Sequence, residues 1–325
     1  MFWSRFFVSI ETNKASMDHF GHFGGKLLAH DRGAEIVTNI LALLQGMRFA
    51  FFNQFFQFPV FTQMFFIMHI YPSYAFVRAD CKIKSPDEIK EGEININLQM
   101  ERQIITTADG SSTVSIPEMN VTYHSTHGAI QESMHVFIDA GLKHALSRNS
   151  AISILEMGFG TGLNALLTLM EAHSAKKPVH YTAIELYPLE PEQIKTLNYC
   201  EQLDRKDLMQ SFEILHSSPW EKDFQITEYL TLFKSGTDLL EIETLQTGQL
   251  FHLIYFDAFA PTAQPELWTS TVFEKLFALL SPGGLLVTYC SKGDVRRAMQ
   301  SAGFRVEKLA GPPGKREMVR AWKEM

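Results

Sequence analysis

Cysteine is almost missing from this chain: Cys81, Cys200 and Cys290 are the only three among 325 residues. Their number and scatter exclude a disulfide framework and a cysteine zinc cluster, and suggest a reducing, cytoplasmic compartment. Low-complexity tracts and internal repeats are also lacking. No Lys, Arg, Asp or Glu lies between Arg48 and Arg78, a length that could span a bilayer. Yet that stretch carries Asn53, Gln54, Gln57, Pro59, Gln63, His69 and Pro72, which suit a membrane helix badly. It lies too far from the N-terminus for a signal peptide and lacks a small-residue cleavage site. Membrane association is not expected. The net charge of −7 argues against a general nucleic-acid coat.

What the chain has in excess is phenylalanine, and more than half of its 26 lie before residue 100. A second methionine, Met100, opens a segment that reads as the ordinary start of a folded domain. Residues 1–99 are therefore expected to be upstream sequence attached by a wrong start assignment, or a dispensable extension. Residues 100–145 are expected to form a hairpin and helix leading into a catalytic domain over 146–325.

From Met100 onward strands and helices alternate. QIITTAD and STVSIPE form a hairpin around Asp109-Gly110, and HVFIDAGLKHAL is helical. AISILEMG is a compact apolar run ended by glycine, the pattern of a buried parallel strand. LNALLTLMEAHS follows as a helix, PVHYTAIEL as the second strand, and EPEQIKTLNYCEQL as a helix opened by acids and proline. FEILHSS reads as the third strand and FHLIYFDAF as the fourth. TSTVFEKLFALLSPGG reads as a helix stopped by Pro-Gly-Gly, then LLVTYC as the fifth strand and SKGDVRRAMQSAGF as a helix. FRVEKLA and EMVRAWK close the chain as a hairpin. The fold class is thus α/β, Rossmann-like, with a mostly parallel sheet and a C-terminal antiparallel hairpin. That combination resembles the class I S-adenosylmethionine (SAM) methyltransferases.

Ligands of such sheets bind beyond the carboxyl ends of the strands. There the chain places Gly158, Gly160 and Gly162 in a G-x-G-x-G turn, preceded by Glu156. Glu185 closes the second strand, where a carboxylate can accept both ribose hydroxyls. This spacing resembles a SAM motif more than the G-x-G-x-x-G of dinucleotide enzymes. Thr161 and Asn164 either cap the following helix or bond the cofactor, with capping the expected role for Thr161. The fourth strand delivers Asp257 to the same edge, within YFDAFAPTAQPELW. A carboxylate there orients an amine and balances the charge that grows on nitrogen, while some desolvation offsets its preference for the protonated amine.

GFGTGLNALL, AIELYPL, FDAFAPTAQPELW, LSPGGLLVTYCSKGDVRRAMQSAGF and GPPGKREM together resemble the MnmC/MnmD family, from about Val121 to Trp322. QESMHVF, Gln131 to Phe137, resembles a family segment as well. The resemblance implies methylation of 5-aminomethyl-2-thiouridine at the tRNA wobble position, with SAM as cofactor. It implies Asp257 as the catalytic aspartate and Glu185 as the ribose-binding acid. The family's acid after the third strand is not matched, since LTLFKSGTDLLEI offers Ser235, Gly236 and only later Asp238. Bifunctional members add a flavin-dependent oxidase domain on the C-terminal side. This chain ends at Met325 without a second glycine fingerprint, so the methyltransferase alone is expected.

From Lys292 onward nine Lys/Arg face four acids, a net +5, leaving −12 on the remainder. Arg296, Arg297, Lys315 and Arg316 flank the expected active edge and are candidates for phosphate contacts in a tRNA anticodon arm. Phe259 and Trp268 are candidates for stacking on an extruded wobble base, with core packing an equal alternative for Trp268. His124, His127 and His135 form a tempting H-x-x-H array, but lack further ligands. Surface or cap roles are expected for them, with no metal. Two rival readings remain: methylation of a small-molecule or protein amine, and a non-catalytic SAM-fold binding module or membrane-associated scaffold.

Overall fold

The structure is a computed structural model that describes residues 6–9, 67–70, 101–244, 248 and 250–324. Met100, Cys81 and nearly all of the Phe-rich segment lie outside the described residues. The chain divides into two compact units. One contains residues 1–101 with 116–120; its described part is a two-stranded antiparallel ribbon, Phe6–Ser9 against Ile67–Ile70, and a short turn at Pro117–Met119.

The other unit, residues 102–115 with 121–325, carries the chemistry. Its entrance is a small sheet of β1 (Gln103–Thr106), β2 (Ser112–Ile116) and β3 (Val121–Thr122), in that order. The hairpin at Asp109-Gly110 is as the sequence predicts. Helix α1 runs through Ala129–Ser133, a π-helical Met134–Leu142 and Lys143–Arg148. Gly141 lets this helix approach the sheet: a Cβ there would lie 3.0 Å from Val287.

The main sheet has eight strands: β4 (Ile152–Met157), β5 (Val179–Ile184), β6 (Phe224–Thr227), β7 (Leu230–Ser235), β8 (Phe251–Phe256), β9 (Leu280–Thr288), β10 (Arg305–Ala310) and β11 (Glu317–Trp322). Their spatial order is β10-β11-β9-β8-β4-β5-β7-β6. The five strands β9-β8-β4-β5-β7 run parallel, and β11, β10 and β6 pair antiparallel. Sheets covered on both faces need near-continuous apolar strands. ISILEM, VHYTAI and FHLIYF are buried at all but their second residue. Successive side chains feed opposite faces: Ile154, Leu253 and Tyr255 enter one core, while Leu155, Ile254 and Phe256 enter the other. The helices over the sheet are α1, α2 (Leu163–Ala175), α3 (Met209–Ser217), α4 (Ser270–Leu279) and α5 (Gly293–Ser301). Among the described residues no helix is long and apolar enough to cross a membrane.

Three expected elements are corrected. FEILHS belongs to helix α3, with Ser218 capping its end, because Phe212 and Leu215 are buried at helical spacing while Glu213 and Ser217 are exposed. The buried Lys234 ammonium donates to the Leu215 and His216 carbonyls at the end of that helix. The third parallel strand is instead β7, LTLFKS. EPEQIKTLNYCEQL is not one helix but two short turns, Pro191–Ile194 and Tyr199–Gln202. Between them Asn198 leaves the helical path, accepting from Ser112 N and Oγ and donating to Gly110 O. The α4 helix ends at Leu279, so Pro282, Gly283 and Gly284 lie within strand β9.

Candidate active site

The chain moves outward from β4 to β5 and β7, then returns to lay β8 and β9 on the other side. The order therefore reverses between β4 and β8, where open parallel sheets bind ligands. Strands β4 and β8 pair in register, Glu156 opposite Tyr255 and Met157 opposite Phe256. The residues that follow them, the glycine turn and Asp257, necessarily share one rim.

All three glycines of the turn adopt left-handed angles, with φ of 88° at Gly158, 51° at Gly160 and 71° at Gly162. At Gly160 a Cβ would also lie 3.2 Å from the Tyr123 ring. Glu185, at the end of β5, binds this turn: its Oε2 accepts from Gly160 N at 2.9 Å and its Oε1 from Tyr187 N at 2.8 Å. Arg102 holds the same loop through the Tyr187 and Pro188 carbonyls.

Asn164, in the first turn of α2, joins two acids. Its Nδ2 donates to Glu156 Oε1 at 3.0 Å and to Asp257 Oδ2 at 2.9 Å. Its Oδ1 is buried without a hydrogen-bond partner. Glu156 is fully buried, and burial holds its carboxyl well above the usual range. Its Oε2 and the Tyr181 hydroxyl interact without a well-formed hydrogen bond. Burial, reinforced by nearby Glu132, pushes Asp257 up to about 7, while Asn164 and Lys315 pull it down. Such displaced carboxyls are typical of functional clefts.

The loop after β8 is held rigid. Tyr289 Oη donates to Ala258 O at 2.9 Å, Trp268 Nε1 to Phe259 O at 2.8 Å, and Phe259 N to Gln264 Oε1 at 3.1 Å. The Phe259 ring meets Tyr123 edge-on, with centroids 5.2 Å apart.

Several sequence expectations change here. Trp268 is only 5% exposed and packs against Phe256, Phe273 and Tyr289, so it has no face for a base. Thr161 does not cap α2, whose N-cap Gly162 has no side-chain hydrogen bond. Its hydroxyl is buried on the core side, interacting with Tyr199. Lys315, half-buried, pairs with the buried Glu132. Arg297 pairs with Asp294, Arg296 donates to Ser291 O, and Arg316 is exposed. His124 is buried rather than superficial, bonded to Thr113 and pushed by burial to about 4. His135 donates to Ala310 O at 2.7 Å, and His127 is exposed beside Ser125.

Sequence reasoning missed four residues. Tyr123, Glu132 and Tyr289 approach the rim from other elements. Glu221 reaches the end of β7, where it accepts from Ser235 Oγ at 2.9 Å and Gly236 N at 2.8 Å. Glu132 and Tyr289 lie within the family-like segments QESMHVF and LSPGGLLVTYCSKGDVRRAMQSAGF; Tyr123 and Glu221 lie in neither.

Residues 214–324 match a family model described as S-adenosyl-L-methionine-dependent methyltransferase. The chain is 30% identical over 215 residues to the tRNA 5-methylaminomethyl-2-thiouridine biosynthesis bifunctional protein MnmC of Chromobacterium violaceum, covering 62% of this chain and 32% of that protein. The protein of the same name from Pseudomonas fluorescens is 32% identical over 208 residues, covering 61% and 31%. The chain thus spans about a third of the length of these curated relatives. The crystal structure of MnmC2 from Aquifex aeolicus aligns with a TM-score of 0.55 at 27% identity, covering 69% of this chain and 71% of that one. Residues 214–324 are thus similar to S-adenosyl-L-methionine-dependent methyltransferases, and about three-fifths of the chain is similar to MnmC proteins.

Proposed function

We propose that this protein transfers a methyl group from SAM to the exocyclic amine of 5-aminomethyl-(2-thio)uridine at the tRNA wobble position. The observation that carries this reading is the Asn164 amide, which ties Glu156, on the strand before the glycine turn, to Asp257. A cofactor over the turn would then lie beside the group that receives an amine.

The residues fit a cationic cofactor. Glu156, Glu185 and Asp257 converge on the rim, and a positive charge beside them offsets the cost of burying carboxylates. The buried, unpartnered Asn164 Oδ1 offers a further acceptor. The backbone of Gly158, Gly160 and Gly162 would hold SAM with Glu156, Glu185 and Asn164, and Glu221, bonded at the end of β7, would be the candidate acid for the adenine. Bound SAM supplies an electrophilic methyl group. An alkyl amine with a pKa of about 10 arrives protonated; desolvation in the site offsets the preference of a carboxylate for that ammonium, and once the amine has lost its proton Asp257 holds it in line. Alignment supplies most of the catalysis in a direct displacement. Phe259 is the remaining aromatic candidate for the base, and Arg296, Arg297 and Arg316 are the phosphate candidates.

One observation favours the rival small-molecule or protein amine. Lys308, Arg320, Arg305 and Arg297 pair with Glu317, Glu307, Glu324 and Asp294, which cancels much of the C-terminal basic charge. Transfer of tritiated methyl from SAM to undermodified bulk tRNA decides between them. RNase-sensitive counts in 5-methylaminomethyluridine are expected; counts that survive RNase would replace this reading with the rival.

A further inference from the structure

The Glu132–Lys315 pair joins segments far apart in sequence, the first turn of α1 and the tip of the β10–β11 hairpin. Three contacts dock that tip onto α1 and the loop before it. His135 donates to Ala310 O, His127 packs where a Gly314 Cβ would stand, and Lys315 meets Glu132. Glu132 is almost enclosed, its side chain 6% exposed; its other oxygen accepts from Ser125 N at 2.6 Å. The Lys315 ammonium also stands 3.9 Å from the centroid of the Tyr289 ring. The hydroxyl of that same ring donates to Ala258 O, one residue beyond Asp257. A buried ion pair is weak evidence for stability, because desolvation consumes most of its attraction. Its place against the Asp257 loop calls for another reason.

We infer that Glu132 and Lys315 are positioning residues of the reaction centre, an ion pair through which the hairpin tip sets the charge state of Asp257. The inference rests on Asp257 being the group that handles the amine. Lys315 favours the carboxylate and Glu132 opposes it, so the pair balances a cation against an anion on one side of Asp257. The other titratable groups facing Asp257 are Glu156 and Tyr181, from β4 and β5, and Tyr289, just beyond β9. His124 faces the pair itself and is neutral above about pH 4. Lys315 is thereby removed from the phosphate contacts and given an internal task.

Carbon-13 NMR of carboxyl-labelled aspartate in the ligand-free protein tests this, with Asp257→Asn assigning the signal. Lys315→Met leaves the anion alone and should raise the Asp257 midpoint by about one pH unit, the lower end of a single near-charge effect. Glu132→Gln keeps the Ser125 contact, leaves the cation alone, and should lower the midpoint by a similar amount. The double variant should return close to wild type, and Lys315→Arg should match it. Midpoints that stay fixed, or that move in the same direction for both single variants, would overturn the inference. Lys315→Met with an unchanged midpoint and weaker, less salt-sensitive RNA binding would return Lys315 to the phosphates. Should Lys315→Met fail to fold, the shape-preserving Glu132→Gln decides alone. The titration needs no substrate, so loss of the tRNA reading leaves this result legible.

Discussion

The side-chain amide of Asn164 donates to Oδ2 of Asp257 across 2.9 Å, with a buried carboxyl, Glu156, on its second proton. One neutral residue thus holds together an enclosed acid, Glu156, and a half-buried one, Asp257, and the free-energy cost of ionising them both is high. The first two predictions follow from that cost.

Asp257→Asn should lower the single-turnover methylation rate by roughly 10²–10⁴, the span of one positioned acid–base group, with SAM affinity much less affected. The same variant should be more stable than wild type in alkaline solution. The folded pKa of about 7 lies above the unfolded value, so ionising Asp257 costs the fold nothing below about pH 4 and the full amount above pH 7. Melting temperatures compared at pH 4.5 and pH 8 should show the gain growing with pH. Equal loss of rate and cofactor affinity would return Asp257 to a structural role.

SAM binding should release protons near pH 7. A sulfonium beside Asp257 and Glu156 favours their charged forms and lowers both pKa values. Calorimetric titrations in buffers of different ionisation enthalpy measure the number released. Proton uptake would contradict the cation-binding account of the site.

Gly160→Val should abolish SAM binding, because φ at this position is 51° and Tyr123 stands 3.2 Å from the added carbon. β-branched side chains tolerate such angles badly. Combining it with Tyr123→Ala removes the clash but not the backbone strain, so binding should stay absent. Recovery of binding in the double variant would assign the effect to Tyr123 alone.

Arg316→Gln and Trp268→Phe should separate RNA contact from loop support. Arg316 is exposed, and its loss should weaken tRNA binding and reduce the salt slope by about 1. Trp268→Phe removes the hydrogen bond to Phe259 O and should slow methyl transfer while leaving the salt slope intact. The reverse pattern would restore Trp268 to the RNA surface.

The central strands, the glycine turn and Asp257 were readable because each depends on local pattern: an apolar run, a glycine spacing, an acid at a strand end. FEILHSS was misread because its short apolar run suits either a strand or a buried helix face, and the Lys234 ammonium that closes the helix comes from another element. Glu221 was invisible for a related reason, since it supplies a carboxylate to Ser235 and Gly236 from outside the strand they end. For Trp268 the sequence leaves stacking and core packing open, and for Lys315 it gives no sign of the Glu132 carboxylate that it meets. Sequence places a residue on a rim; whether its side chain turns outward or inward depends on partners such as Phe256 or Glu132, which only tertiary packing brings near.

The reversal of direction at β11 has a consequence for how activity appears during synthesis. It brings the hairpin tip back to the rim that holds Asp257, so Lys315 reaches Glu132 across 183 positions of chain. Neighbouring strands such as β4 and β5 are available much earlier, and contacts of such long sequence separation form late. A nascent chain emerging from the ribosome can therefore collect its central sheet while its reaction centre is still open on one side. The β10–β11 loop, translated after that sheet, is the one that shuts it.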